Sequence, residues 1–343
     1  MAVHYTARIP ARAFGFESDE TIPGFLPIEQ PPAAPLQYVR IDPAHVFNRT
    51  LFEDLRLWWT WNDPVQPLYI SGPTGCGKTS TVMQFMARVN APVISVTCTK
   101  RFVKDDLVGR WGAVKGGFCW FDGPATIAWK TGAVLVINEF SLAPPETWVG
   151  VNDIFEGQSI TIEKTGIAVP RHPNARIIIT DNCRCAAAGA SNYQARSEQD
   201  ASTSDRFWHI AADWPDESVE TDIIRRRVLA VCANLYAPLA GELSRCTARL
   251  AAFTRQPQEG SDNDPNKAMP VISTRVAVRL GEILACLLAS GREFDAALAQ
   301  AVRLAAASAY APARSTALMQ AARFHFITLE EAIKASGSTT RSR

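Results

Sequence analysis

A layered α/β fold, with a buried five-stranded parallel sheet in an αβα sandwich followed by an all-α domain, is the architecture this sequence predicts. Two observations carry it. Between residues 67 and 213, short β-rich runs that are apolar on both faces alternate with helical stretches: "PLYIS" (67–71), "PVISVTC" (92–98), "AVLVINE" (133–139), "ARIIITDN" (175–182) and "FWHIAAD" (207–213). Strands apolar on both sides belong inside a parallel sheet covered by helices. From Asp216 onward the pattern is alanine- and leucine-rich with helical spacing and offers no strand candidate.

The elements follow in chain order. Residues 1–45 are rich in proline and poor in periodicity, so they read as an extended arm that packs through single aromatics such as Phe14, Phe16 and Phe25. The core is expected over 46–215. It opens with "NRTLFEDLRLWWTW", where Leu51, Leu55, Trp58 and Trp59 fall at helical spacing and the tryptophans are expected to pack inside. An amphipathic helix through Val89 follows the first strand, and "SITIEKTGIAVP" reads as a hairpin between a helix and a strand. The helical domain is expected over 216–335, interrupted by the polar loop "PQEGSDNDPNKAMP", with a disordered tail at 336–343.

Composition sets limits on function. The 343 residues are 47% hydrophobic and 20% charged, with a formal net charge of +1. That balance is ordinary for a globular chain. It speaks against nucleic acid as the partner, since bulk attraction to phosphate backbones requires a more basic surface. "GAVLVI" and "ILACLLAS" are too short for a membrane span. "MAVHYTARIPARAF" lacks the apolar run of a secretory signal, so a cytoplasmic location is expected. The eight cysteines then read as reduced and mostly buried; Cys183 and Cys185 in "CRC" have no second pair at zinc spacing.

The chemistry concentrates in "SGPTGCGKTS". It fits G-x-x-x-x-G-K-[ST] through Gly72, Gly77, Lys78 and Thr79, with a strand before it and a helix after it. Gly72, Pro73, Thr74, Gly75, Cys76, Gly77, Lys78, Thr79 and Ser80 form the expected nucleotide-binding loop. Backbone N–H groups at such a turn can wrap a phosphate, and the helix N-terminus adds partial positive charge. Lys78 would reach the β- and γ-phosphates of ATP, and Thr79 would offer its hydroxyl to Mg²⁺. Hydrolysis also needs a carboxylate to act on water, and Glu139 emerges at the C-terminal edge of the "AVLVINE" strand, where α/β sheets place ligands. Asn138, beside it, stands where an aspartate usually serves the metal. It keeps the shape and one acceptor oxygen but loses the charge, so weaker magnesium binding and slower hydrolysis are expected. Asn182 ends a further strand, where its amide can hold water or the γ-phosphate or simply cap a turn. Arg206 in "SDRF" and Arg275 in "STR" read, by themselves, as a surface ion pair and a solvated cation.

In order and spacing these signatures resemble the AAA+ ATPases, more narrowly the MoxR group, and within it the CobS-type small AAA+ subunit of aerobic cobaltochelatase. "DDLVGRWG", "GGFCWFDGPATIAWKTGAVLVINE", "APPETW", "ITDN", "SDRF" and "STR" stand in the group's order, and the arm "AFGFESDETIPGF" with "VFNRTLFEDL" is also similar. The resemblance implies ATP and Mg²⁺ as cofactors, Thr79 and Asn138 at the metal, Glu139 activating water and Asn182 sensing the γ-phosphate. It implies that Arg206 reaches the nucleotide of a neighbouring subunit and that Arg275 joins the helical lid to the nucleotide. A homo-hexameric ring, a von Willebrand factor A (VWA) domain partner, and a large chelatase or other client enzyme follow from the same likeness. The expected function is therefore an ATP-driven remodeller of a partner protein. A weakly hydrolysing, nucleotide-gated assembly scaffold is the alternative that Asn138 favours, and a DNA-associated motor is a third that the near-neutral charge opposes.

Overall fold

The computed structural model describes residues 4–27, 35–61, 65–163, 165–183, 199–233, 235, 237–256 and 269–339. They fall into two units. One holds the chain up to Asp42 with Phe47–Pro73 and Lys78–Asp213; the other holds Pro43–Val46, Thr74–Gly77 and the chain from Trp214 onward.

In the first unit, the arm does not stay extended. β1 (Ala7–Pro10) and β2 (Thr21–Gly24) pair antiparallel as a hairpin. Strands of four residues are too short for alternation to show, and Pro10 and Pro23 are compatible with a two-stranded ribbon because both strands are edges. The expected aromatics anchor it: Phe14 lies 5.1 Å from Phe52 and 5.3 Å from Phe85, Phe16 stacks on Phe52 at 4.4 Å, and Phe25 meets Trp59 at 6.4 Å. α1 (Arg49–Thr60) starts where the Asn48 side chain accepts from the Leu51 N–H, and it buries Leu51, Phe52, Leu55, Trp58 and Trp59. Both tryptophans are core residues. The Trp59 indole N–H donates to the Pro23 carbonyl at 2.7 Å, and the buried Arg176 guanidinium lies over both rings, 5.2 and 4.8 Å from their centroids.

The main sheet is built from β3 (Leu68–Ser71) and, after α2 (Lys78–Val89), β4 (Val93–Thr97). Then come α3 (Lys104–Val108), the hairpin β5 (Gly109–Val114) and β6 (Gly117–Asp122), α4 (Pro124–Thr131) and β7 (Val134–Asn138). Short α5 (Pro145–Val149) and α6 (Asn152–Phe155) precede the hairpin β8 (Ile160–Ile162) and β9 (Ile167–Val169). β10 (Arg176–Asp181), α7 (Ala201–Ser204) and β11 (Trp208–Ala211) complete the unit. Five strands pair in parallel in the order β11-β3-β10-β7-β4. β10 is buried at every residue, as expected for a central strand. The chain steps outward from β3 to β4 on one side and from β10 to β11 on the other. The connection therefore reverses at the β3–β10 pair, and such reversals open a crevice at the strands' C-terminal ends.

The regular elements of the second unit are helical among its described residues: α8 (Glu217–Val231), α9 (Ala237–Arg255), α10 (Thr274–Ala289), α11 (Phe294–Ala305), α12 (Pro312–His325) and α13 (Ile327–Thr339). α13 does not stand out in the sequence as a helix of its own, yet Leu329 within it is fully buried. α8 and α10 approach closely because residue 281 is glycine; a Cβ there would lie 2.8 Å from the Ile224 side chain. A buried ion pair ties the bundle together. Arg255 donates to both Glu220 oxygens at 2.7 and 2.9 Å and to the Ile272 carbonyl at 2.9 Å, and its guanidinium lies 4.3 Å from the Trp214 ring centroid.

Glu220 is 0% and Arg255 9% exposed, so removing one partner strands a charge in a dry site. Glu220→Ala is expected to destabilise the helical unit by about 3–5 kcal/mol. Hydrogen exchange should show earlier loss of protection in α8, α9 and α10, with the main sheet unchanged.

Candidate functional site

Parallel register brings the ends of the strands to two adjacent rows. Ser71 stands opposite Asp181 and Ala211, while Asn138 stands opposite Thr180 and Thr97. The segments that leave these rows carry Lys78, Glu139 and Asn182.

The loop after β3 needs its glycines. Gly72 has φ +155°, and a Cβ there would sit 2.2 Å from the Ala212 carbonyl oxygen. The backbone of Ala212 packs so closely there that no side chain fits. α2 then begins at Lys78, whose ammonium is buried and points back over the loop. It donates to the carbonyls of Gly72 (2.7 Å) and Pro73 (2.9 Å) and to Asn182 Oδ1 (3.0 Å). An ammonium ringed by oxygen acceptors is poised to take phosphate oxygens in exchange.

Asn138 sits at the centre of a hydroxyl cluster. Its Oδ1 accepts from Thr180 Oγ1 at 2.8 Å and from Thr79 Oγ1 at 3.3 Å, while its amide nitrogen donates to Ser95 Oγ at 2.9 Å and to the Val96 carbonyl at 3.4 Å. The Val96 carbonyl explains the amide: a carboxylate oxygen there would face another acceptor. Thr79 and Asn138 supply neutral oxygens of the kind that magnesium accepts alongside phosphate. The residues thus fit a nucleotide phosphate chain with its metal.

Glu139 follows in the left-handed region, φ 59° and ψ 42°. This conformation costs a glutamate about 1–3 kcal/mol unless its surroundings impose it. Here the Glu139 N–H extends the ladder by donating to the Thr180 carbonyl at 2.8 Å. The next residue, Phe140, is buried and stacks on Trp148 at 4.1 Å. The turn directs the Glu139 carboxylate to Asn182, whose Nδ2 donates to it at 3.3 and 3.4 Å. Asn182 therefore bridges Lys78 and Glu139.

Arg206, between α7 and β11, pairs with Glu156 at 2.7 Å and also donates to the Ser202 carbonyl. Within the second unit, Ser273 caps α10 by accepting from the Val276 N–H, and Arg275 is exposed on the first turn. Gly75, which belongs to that unit, has φ +78°; a Cβ there would meet Ser273 at 2.9 Å and the Arg275 Cβ at 3.4 Å. Cys183 is buried, and its carbonyl accepts from the Tyr69 hydroxyl at 3.0 Å; Cys185 lies outside the described residues.

Sequence reasoning missed Asp181, although "ITDN" displays it. It is 1% exposed. Its carboxylate accepts from the Ser141 N–H (2.5 Å) and hydroxyl (2.9 Å) and from the Asn182 N–H (2.6 Å). Burial, then the charges of Asp181 and Glu139, push the nearby Cys98 thiol above its usual range.

Residues 67–207 match the family described as the AAA domain, dynein-related subfamily. The chain is 33% identical to "Protein CbbQ" of Hydrogenophilus thermoluteolus over 160 residues, covering 46% of this chain and 57% of that protein. It is 28% identical to "Protein NorQ" of Paracoccus denitrificans over 194 residues, covering 56% and 65%. It is 30% identical to "Gas vesicle ATPase GvpN1" of Halobacterium salinarum over 189 residues, covering 49% and 52%. The chain thus spans less than two thirds of the length of these curated relatives.

Two substitutions test the geometry. Lys78→Ala should abolish tight ATP binding without unfolding the protein, as titration with a fluorescent ATP analogue would show. Asn138→Asp should cost about 0.5–1.5 kcal/mol of stability through the lost amide bonds. It should also lower the magnesium concentration that half-saturates nucleotide-dependent turnover; an unchanged magnesium dependence would show that residue 138 does not face the metal.

Proposed function

We propose, from the match of residues 67–207 to the AAA domain of the dynein-related subfamily, that this chain is an ATP hydrolase. It acts as a ring and remodels or activates a partner protein. One observation carries the reading. Asn182 joins the Lys78 ammonium to the Glu139 carboxylate at the sheet edge where the strand order reverses. That arrangement places a phosphate-binding cation and a proton acceptor on either side of one amide.

The residues divide the work. Lys78 trades its carbonyl partners for phosphate oxygens, and the glycine loop supplies backbone N–H groups. Thr79 and Asn138 would hold Mg²⁺, which when bound supplies positive charge against the phosphates. Glu139 takes a proton from the attacking water, and Asn182 orients that carboxylate and reports on the γ-phosphate. Arg275 reaches the nucleotide from the helical unit. Arg206, paired with Glu156 of its own chain, is assigned to the nucleotide of a neighbouring subunit by the likeness to the MoxR group, and that assignment calls for a ring, a homo-hexamer in the same reading. One relative's own name describes it as an ATPase, which supports the assignment.

The finer reading comes from the order of the signatures and from the arm. It is a CobS-type subunit that works with a VWA-domain partner on a large chelatase or another client, in the cytoplasm. No described helix is long and apolar enough to cross a membrane. Asn138 favours a second reading, a scaffold that binds ATP and turns it over slowly until a partner arrives. Steady-state ATP hydrolysis with and without the co-purifying partner separates the two: the motor hydrolyses at an appreciable rate in both states, the scaffold only slowly until its partner is added.

The shared site makes its own prediction. Arg206→Ala should leave nucleotide affinity nearly unchanged and cut turnover by about 10³-fold or more, because a trans arginine acts on transition-state charge. Mixing Arg206→Ala subunits with Glu139→Gln subunits should restore part of the activity in rings shown to exchange subunits; no rescue at any ratio would contradict a shared site.

A further inference from the structure

We infer that Asp181 is a positioning residue for hydrolysis, whose buried carboxylate sets Glu139 and Asn182 against each other. The inference rests on the reading of Glu139 as the proton acceptor.

The carboxylate is filled with donors from two chain segments. Oδ2 accepts the Ser141 N–H at 2.5 Å; Oδ1 accepts the Ser141 hydroxyl at 2.9 Å, the Asn182 N–H at 2.6 Å and the Cys183 N–H at 3.4 Å. Ser141 lies two residues beyond Glu139, in the turn Phe140–Leu142 that the left-handed Glu139 initiates. Asn182 and Cys183 begin the chain that leaves β10. Asp181 therefore clamps the turn carrying the proton acceptor to the segment carrying the amide that contacts it. Burying a carboxylate is costly without such compensation, and bonds to an ionised acceptor are about twice as strong as neutral ones. Those bonds hold Glu139 in a backbone conformation it would otherwise leave. The Glu139–Asn182 contacts are long, 3.3 and 3.4 Å. Their geometry depends on the clamp more than on their own strength.

Asparagine is the discriminating substitution. Asp181→Asn keeps the volume but turns one acceptor into a donor, and every partner that the carboxylate holds by a backbone group is itself a donor. Either the Ser141 turn or the Asn182 segment must let go. The full-length chain with MgATP is the system to measure. Asp181→Asn should lower kcat by about 10²-fold, the scale of a misplacement of about 1 Å, with nucleotide Kd within about twofold of wild type. In a Glu139→Gln background it should add nothing further, since a residue that acts through another shows no separate effect once that residue is disabled. A multiplicative loss in the double variant, a wild-type kcat, or a Kd that weakens in step with kcat would each overturn the inference. If Asp181→Asn fails to fold, Ser141→Ala carries the test. It removes one bond to Asp181 and should lower kcat severalfold at unchanged Kd; a wild-type rate overturns the inference. Absence of hydrolysis in the wild-type ring with its partner would overturn the function and this role together. Hydrolysis in the wild type with no effect of either variant overturns this role alone.

Discussion

The register of β10 against its two neighbours is the constraint on which the site depends. Pairing Asp181 with Ser71 and Thr180 with Asn138 aligns the ends of three strands, so that three unrelated segments leave the sheet together. A slip of one residue would turn every side chain of β10 to the other face. It would take Thr180 away from Asn138 and expose part of a strand that is buried throughout. The apolar run "RIIIT" thus does more than fill the core. By fixing which residue emerges last, it fixes the distance between the phosphate loop and the carboxylates.

Electrostatics at that edge are unusual in one respect. Glu139 and Asp181 already place two carboxylates around Cys98, and both charges help to raise its thiol. Asn138 contributes shape and an acceptor oxygen without a third negative charge, and its amide finds acceptors in Ser95 and Val96. An aspartate would have to be stabilised by a bound cation to sit beside those groups without repulsion. The asparagine therefore lets the edge stay assembled without adding a third negative charge.

Much of this was legible in the sequence, for identifiable reasons. The three inner strands announced themselves because a central parallel strand is apolar on both faces, and the glycine loop because the backbone requires it: Gly72 cannot carry a Cβ beneath Ala212. Glu139 and Asn182 drew attention because strand ends in such sheets are where ligands bind, and Lys78 because it closes the glycine-rich motif. The rest escaped where the signal is not periodic. The arm's strands are too short to alternate, so a hairpin looked like irregular chain. α13 goes unnamed between the last helical pattern, which ends at Phe326, and the tail expected from residue 336. Asp181 escaped because an acidic residue at a strand end normally reads as exposed, and only the fold reveals that Ser141, forty residues away in sequence, supplies its donors.

Two ion pairs show how the molecule apportions rigidity. Arg255 and Glu220 are almost wholly buried, and Arg255 also holds the Ile272 carbonyl just ahead of α10. Breaking that pair strands a charge, so the start of α10, with Ser273 and Arg275, is fixed within its unit. Arg206 and Glu156 are 28% and 48% exposed, and pairs open to water contribute about 0–1 kcal/mol. Releasing Arg206 from Glu156 therefore costs little. The same residue type is thus built into the frame in one place and held loosely in another, and the difference comes from burial, not from the identity of its partner.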